Sequence, residues 1–70
     1  MPPEKLIHMA NQIAAFFAHQ GDDAAAAVAD HFVKFWDPRM RRELMDLVAR
    51  GDAKGLDPTA EAAARNLKGP

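Results

Sequence analysis

The stretch Val28–Met45, VADHFVKFWDPRMRRELM, decides how this chain folds. Its first half ends an apolar helical pattern on three aromatic residues: Phe32, Phe35 and Trp36. Asp37 and Pro38 follow, and they are typical of a helix start, because Asp accepts amide hydrogen bonds at an N-cap and proline has no amide hydrogen to leave unpaired. The stretch therefore predicts a corner between two helices, where an aromatic helix end lies beside a cluster of arginines.

Glycine and proline divide the rest of the chain into helical segments, within which apolar residues recur every three or four positions. We predict helices over residues 4–20, 23–36, 38–50 and 58–67, with Asp22 or Asp23 capping the second and Gly51 ending the third. Gly69-Pro70 ends the chain, and no segment has the alternating pattern of a β-strand. We expect one all-α domain over residues 1–70, a small bundle of three main helices plus a short, weaker C-terminal helix.

The first predicted helix is apolar over an unusually wide arc, which runs from Phe16 round to Ile7. At 100° per residue this arc spans roughly 180°, more than one neighbouring helix needs. Elsewhere, charged residues are spaced to pair within a helix: Asp30–Lys34, Arg39–Glu43, Arg42–Asp46 and Asp46–Arg50. Arg41 has no such partner, since Asp37 serves as the cap, so we expect it to be the arginine most available to an external carboxylate.

Composition excludes several classes of protein. The chain has 70 residues, no cysteine and a formal net charge of -1. A chain of this length buries only about 60% of its unfolded-state surface, so its core is marginal. The charge argues against a general binder of nucleic acid or of anionic membranes. The N-terminus lacks a signal-peptide pattern, and no apolar segment approaches the ~20 residues that span a bilayer. We expect a cytoplasmic protein without a membrane contact.

The residues that carry catalysis or bind metals are sparse. The three histidines, His8, His19 and His31, lack the i,i+3 or i,i+4 spacing of a helical zinc site. The chain has no cysteine and no serine, and it has no phosphate-binding glycine motif. Helices this short also leave little room for a pocket of ~300 Å³, the lower limit for small-molecule sites. We expect a chain that is not an enzyme and holds no metal or cofactor.

Two interpretations of the aromatic residues stay open at this point. Phe17 and Phe32 are central in their apolar stripes, which favours the core. Phe16, Phe35 and Trp36 lie near stripe edges or at a helix end, and such positions suit both a bundle core and a partner interface. The arginines likewise suit a solvated, salt-paired face or a contact with phosphates.

The segments KLIHMANQIAAFF (residues 5–17) and VADHFVKFWDPRMRRELM together resemble the delta subunit of NAD-dependent, molybdenum-containing formate dehydrogenases. The resemblance covers Lys5 to Val48. Its most specific motifs are I-x-x-F-F, from Ile13 to Phe17, and H-F-x-x-F-W-D-P-R-M, from His31 to Met40. The segment after Arg50 carries no motif of the family.

The resemblance implies a small accessory subunit that binds no cofactor itself. The molybdenum cofactor, iron–sulfur clusters, FMN and NAD are then expected on the partner subunits, namely the catalytic alpha subunit with beta and gamma subunits. The predicted partner interface has an apolar centre ringed by arginines: Phe16, Phe35, Trp36 and Met40 with Arg39, Arg41 and Arg42. The alternatives are a self-associating domain, which would be a homodimer in isolation, and a regulatory or nucleic-acid-binding helical domain.

Overall fold

Residues 1–67 are the part of the chain that the computed structural model describes. They contain four α-helices and one 3₁₀ segment. The helices are α1 (Pro3–Phe17), α2 (Ala24–Phe35), α3 (Pro38–Arg50) and α4 (Pro58–Asn66), and the 3₁₀ segment Ala18–Asp23 joins α1 to α2. The described residues contain no β-strand, so the predicted all-α bundle with a short fourth helix is confirmed. The predicted chain end at Gly69-Pro70 lies outside the described residues.

Asp37-Pro38 starts α3 as predicted, and a second Asp-Pro step, Asp57-Pro58, starts α4 in the same way. The carboxylate of Asp37 accepts a hydrogen bond from the backbone N–H of Met40 at 2.8 Å, and that of Asp57 accepts one from the N–H of Thr59 at 2.8 Å. Gly51 ends α3 with φ 75°, the left-handed conformation that glycine adopts most readily. These local signals fix the two ends of α3 and the start of α4.

The junction of α1 and α2 differs from the prediction. The first α-helix ends at Phe17 rather than near residue 20, and the chain tightens into the 3₁₀ segment before α2 begins. Gly21 has φ 59° and ψ -122° there, a non-helical conformation that kinks the chain. Asp23 occupies the N-cap position of α2, but its side chain makes no capping hydrogen bond, so the prediction of a capping carboxylate is wrong.

The fourth helix is a full part of the core. Its buried residues are mostly alanines, Ala60, Ala63 and Ala64, and it packs more extensively against α2 than against any other helix. Such small side chains allow two helix axes to approach closely, so α4 completes the core without large residues. Across the bundle the largest fully buried side chains are Leu6, Val28, Phe32 and Leu44.

Asn11 ties α1 to the link between α3 and α4. Its Nδ2 donates to the carbonyl of Gly55 at 2.9 Å, and its Oδ1 accepts from the N–H of Asp57 at 2.7 Å. One amide side chain therefore satisfies both a donor and an acceptor of this loop, whose Ala53 and Leu56 also pack against the core.

Only one of the predicted intrahelical ion pairs forms. Lys34 Nζ lies 3.0 Å from Asp30 Oδ2, as expected. The other three predicted pairs lie within residues 1–67, but none of them brings its charged nitrogen and oxygen atoms within 4.0 Å. Those three predictions are therefore wrong. Exposed pairs of this kind contribute about 0–1 kcal/mol, so their absence changes the stability little.

Candidate partner interface

An open apolar groove of about 320 Å³ lies between α1 and α2. Its lining comes from both helices: Met9, Gln12, Ile13, Phe16, Phe17, His31, Phe35 and Trp36. The expectation that helices this short leave little room for such a volume is wrong, because the groove opens at the surface and needs no interior space. Its position matches the wide apolar arc of α1, one edge of which no other helix of the described chain covers.

Phe16 and Phe35 are the exposed apolar members of this groove, and each keeps 73% of its surface accessible. They belong to a row of rings that crosses from α1 to α2. Phe16 meets Phe17 edge-on with centroids 5.1 Å apart, Phe17 lies 5.9 Å from His31, and His31 lies 4.6 Å from Phe35. Large exposed apolar side chains grouped in a concave surface are typical of a protein-binding site.

Trp36 also lines the groove, but only 6% of its surface is exposed. Its ring stacks on that of Phe32, with centroids 4.3 Å apart and an interplanar angle of 29°. Of the two interpretations left open by the sequence, the core therefore applies to Trp36, and its contact with a partner stays a prediction. The exposed centre is formed by Phe16 and Phe35.

Phe17 and Phe32 were both expected in the core. Phe32 is fully buried, as predicted. Phe17 is only partly buried and lines the groove beside Phe16, so it belongs to both the core and the surface. Of the predicted interface residues, the structure thus brings Phe16, Phe35 and Trp36 together in one groove.

The remaining predicted interface residues lie on α3, outside the lining of this groove. Met40 is half-buried and packs against the core. Arg39 and Arg42 are exposed, and neither forms an ion pair or a side-chain hydrogen bond with any other described residue. Their contact with a partner stays a prediction.

Arg41 is engaged within the fold. Its Nη1 donates to the carbonyl oxygens of Phe32 at 3.4 Å, Val33 at 3.3 Å and Trp36 at 2.5 Å. The expectation that Arg41 is the arginine most available to an external carboxylate is therefore wrong. Spacing along one helix identifies partners on that helix only, and these acceptors are backbone oxygens at the end of the preceding helix.

Sequence reasoning missed five lining residues of the groove: Met9, Gln12, Ile13, Phe17 and His31. A signal for Met9 existed in the wide apolar arc of α1. His31 precedes Phe35 by one helical turn, so it lies on the same side of α2, but an isolated histidine gives no reason to expect an aromatic neighbour. No group of three or more potential metal ligands occurs within residues 1–67, and no helix there is long and apolar enough to cross a membrane.

Comparison with known proteins gives a family but no individual relative. No curated protein and no solved structure matches the chain. The family model described as NADH-dependant formate dehydrogenase delta subunit FdsD matches residues 5–64, a range that includes most of α4 and so extends beyond the resemblance seen in the sequence. Because this match covers well over half of the 70 residues, the chain belongs to the FdsD family of formate dehydrogenase delta subunits.

Proposed function

We propose that the chain is a non-catalytic accessory subunit that docks on the catalytic alpha subunit of a cytoplasmic, NAD-dependent formate dehydrogenase complex. In this role it supports the assembly, maturation or stability of the catalytic subunit. The family match supports membership of the complex. The observation that carries the docking role is the apolar groove between α1 and α2, with Phe16 and Phe35 each 73% exposed.

The two phenylalanines are the anchors of the proposed interface. Complete burial of a Phe side chain contributes about 1.5–3 kcal/mol, so covering two that are about three-quarters exposed supplies about 2–4 kcal/mol of affinity. The groove lining carries no Lys, Arg, Asp or Glu. Apolar side chains of the catalytic subunit therefore suit the centre of the groove, and charged contacts belong to its surroundings.

The proposed non-catalytic role rests on the family and on the composition. The chain has no cysteine, the residue whose thiolate holds iron–sulfur clusters, and no serine nucleophile. We therefore assign the molybdenum cofactor, the iron–sulfur clusters, FMN and NAD to the alpha, beta and gamma subunits.

The test is a tagged pulldown from the source cell, with gentle elution and an assay for formate-dependent NAD reduction. The wild-type chain is expected to recover the large subunits and the activity. Phe16→Ala and Phe35→Ala are expected to reduce the recovery, and the double variant is expected to abolish it. Both side chains are exposed, so their removal changes the free energy of unfolding by only about 0.5 kcal/mol.

Val33→Ala is the matched control, because Val33 is also apolar, on α2 and 57% exposed. At 100° per residue it lies about 160° round the helix from Phe35, away from the groove. Full retention of the double phenylalanine variant, or equal losses with Val33→Ala, would contradict docking through this groove. A wild-type chain recovered alone or as a homodimer would contradict the accessory role and favour self-association.

A further inference from the structure

We infer that Arg41 is a positioning residue for the docking groove: it holds the aromatic end of α2 in place from α3 and does not itself bind the partner. The inference rests on the proposed docking function and assigns a role to a residue outside the groove lining. It also identifies Arg41 as the arginine of α3 that affects binding by keeping the end of α2 ordered.

The hydrogen bonds of Arg41 pair backbone carbonyl groups at the C-terminal end of α2. An α-helix leaves its last carbonyl groups without intrahelical donors. Trp36 leaves helical geometry, with φ -94° and ψ 144°, and its N–H bonds to the carbonyl of Phe32. Pro38 follows soon after and has no N–H to offer. The guanidinium of Arg41 supplies donors to the carbonyls of Val33 and Trp36 and adds a second, longer bond to that of Phe32, and its positive charge suits the negative end of the helix dipole.

The same residues build one end of the groove. Phe32 and Trp36, whose carbonyls bind Arg41, are also the two stacked rings, and Phe35 lies between them in the sequence. Trp36 and Phe35 both line the groove. Loss of the Arg41 hydrogen bonds therefore frees the last turn of α2, and the partner must then reorder it on binding. An ordering cost of this kind lowers affinity without the removal of any intermolecular contact.

The neighbouring arginine supplies a matched control. Arg42 is exposed on the same helix and makes no ion pair or side-chain hydrogen bond within the described chain. Methionine has nearly the helix propensity of arginine and a similar unbranched stem, so Arg41→Met and Arg42→Met each remove one guanidinium with little change in helix propensity. An arginine that paired with a carboxylate of the partner would change the affinity independently of Phe35. A positioning residue changes the affinity by holding Phe35 in place.

The experiment measures the dissociation constant of the full chain for the purified formate dehydrogenase complex that lacks this subunit. The variants are Arg41→Met, Arg41→Lys, Arg42→Met, Phe35→Ala and Arg41→Met with Phe35→Ala. We expect Arg41→Met to weaken binding about two- to tenfold, the usual cost of reordering one or two side chains. Arg41→Lys restores part of this loss. Arg42 is itself a predicted contact with the partner, so Arg42→Met serves as the control for the structure of the free subunit. The double variant is weakened less than the product of the two single effects.

A spectroscopic readout on the free subunit completes the test. Trp36 is the single tryptophan of the chain, so its near-ultraviolet circular dichroism reports the α2 end alone. Arg41→Met is expected to reduce this signal while the far-ultraviolet helical signal is kept, and Arg42→Met to change neither. If Arg41→Met does not fold, Arg41→Lys enters the same comparison with Phe35→Ala.

The outcomes separate the inference from the function beneath it. Multiplicative effects of Arg41→Met and Phe35→Ala, or an unchanged Trp36 signal, would overturn the positioning role. A wild-type chain that does not bind the complex, or a Phe35→Ala variant that binds as the wild type does, would instead overturn the proposed docking through the groove.

Discussion

Replacement of Trp36 by alanine is expected to destabilise the protein strongly, whereas the adjacent Phe35→Ala is expected to change its stability little. The two residues are neighbours in the sequence and both line the groove, but Trp36 is 6% exposed and Phe35 is 73% exposed. Burial therefore decides the effect of each substitution on stability. The two variants show which of these adjacent residues belongs to the core and which to the proposed interface.

The expected magnitude follows from the burial of Trp36. Removal of a buried Trp side chain costs about 3–5 kcal/mol, of which the stack on Phe32 accounts for about 0.5–1.5 kcal/mol. At about 0.05–0.15 kcal/mol per residue, a chain of 70 residues has about 3.5–10 kcal/mol in total. With about 4–8 °C for each kcal/mol in a domain of this size, Tm falls by about 12–40 °C.

The assay is thermal and urea unfolding followed by far-ultraviolet circular dichroism, which does not depend on the tryptophan that is removed. Trp36→Phe is the graded control, because it keeps a ring against Phe32 and loses less volume; its loss is expected to be less than half that of Trp36→Ala. A Tm for Trp36→Ala within about 4 °C of the wild type, a change of about 1 kcal/mol or less, would refute the assignment of Trp36 to the core.

Two further predictions concern the local contacts. Asp37→Ala removes the acceptor of the Met40 N–H and is expected to lower the free energy of unfolding by about 1 kcal/mol, whereas Asp37→Asn keeps the cap; equal Tm values for the two variants would contradict this. Asn11→Ala removes the bonds to Gly55 and Asp57 and is expected to cost about 1–3 kcal/mol, with faster amide hydrogen exchange at Asp57; unchanged exchange there would contradict the tie between α1 and the link.

The parts of the fold that local chemistry determines were predictable. Asp37 and Asp57 cap helices because a carboxylate before proline satisfies free amide groups in almost any context, and Gly51 ends α3 because it alone adopts positive φ cheaply. The presence of a short C-terminal helix was also correctly predicted. The 3₁₀ segment was not, because residues 18–20 fit a helix by propensity, and Gly21 does not specify how the last turn before it tightens.

Tertiary contacts explain the errors at the candidate site. The position of Trp36 at a helix end gives no measure of its burial, since its ring stacks on Phe32 one turn earlier and both rings are buried only by the packing of the helices. Arg41 looked unpartnered because spacing rules compare residues on one helix, whereas its acceptors are backbone carbonyls of α2. The groove itself was partly visible in the arc of α1, but its α2 side depends on the packing of two helices.

The exposure of Phe16 and Phe35 separates folding from binding in this small chain. A side chain that is 73% exposed contributes little to the stability of the core. It also keeps apolar surface in contact with water, which promotes aggregation. Phe17, one position from Phe16, already supplies the partly buried ring that α1 presents to α2. The stability of the isolated fold therefore gives no reason for phenylalanine at positions 16 and 35, whereas an interface that covers the groove gives one at both positions.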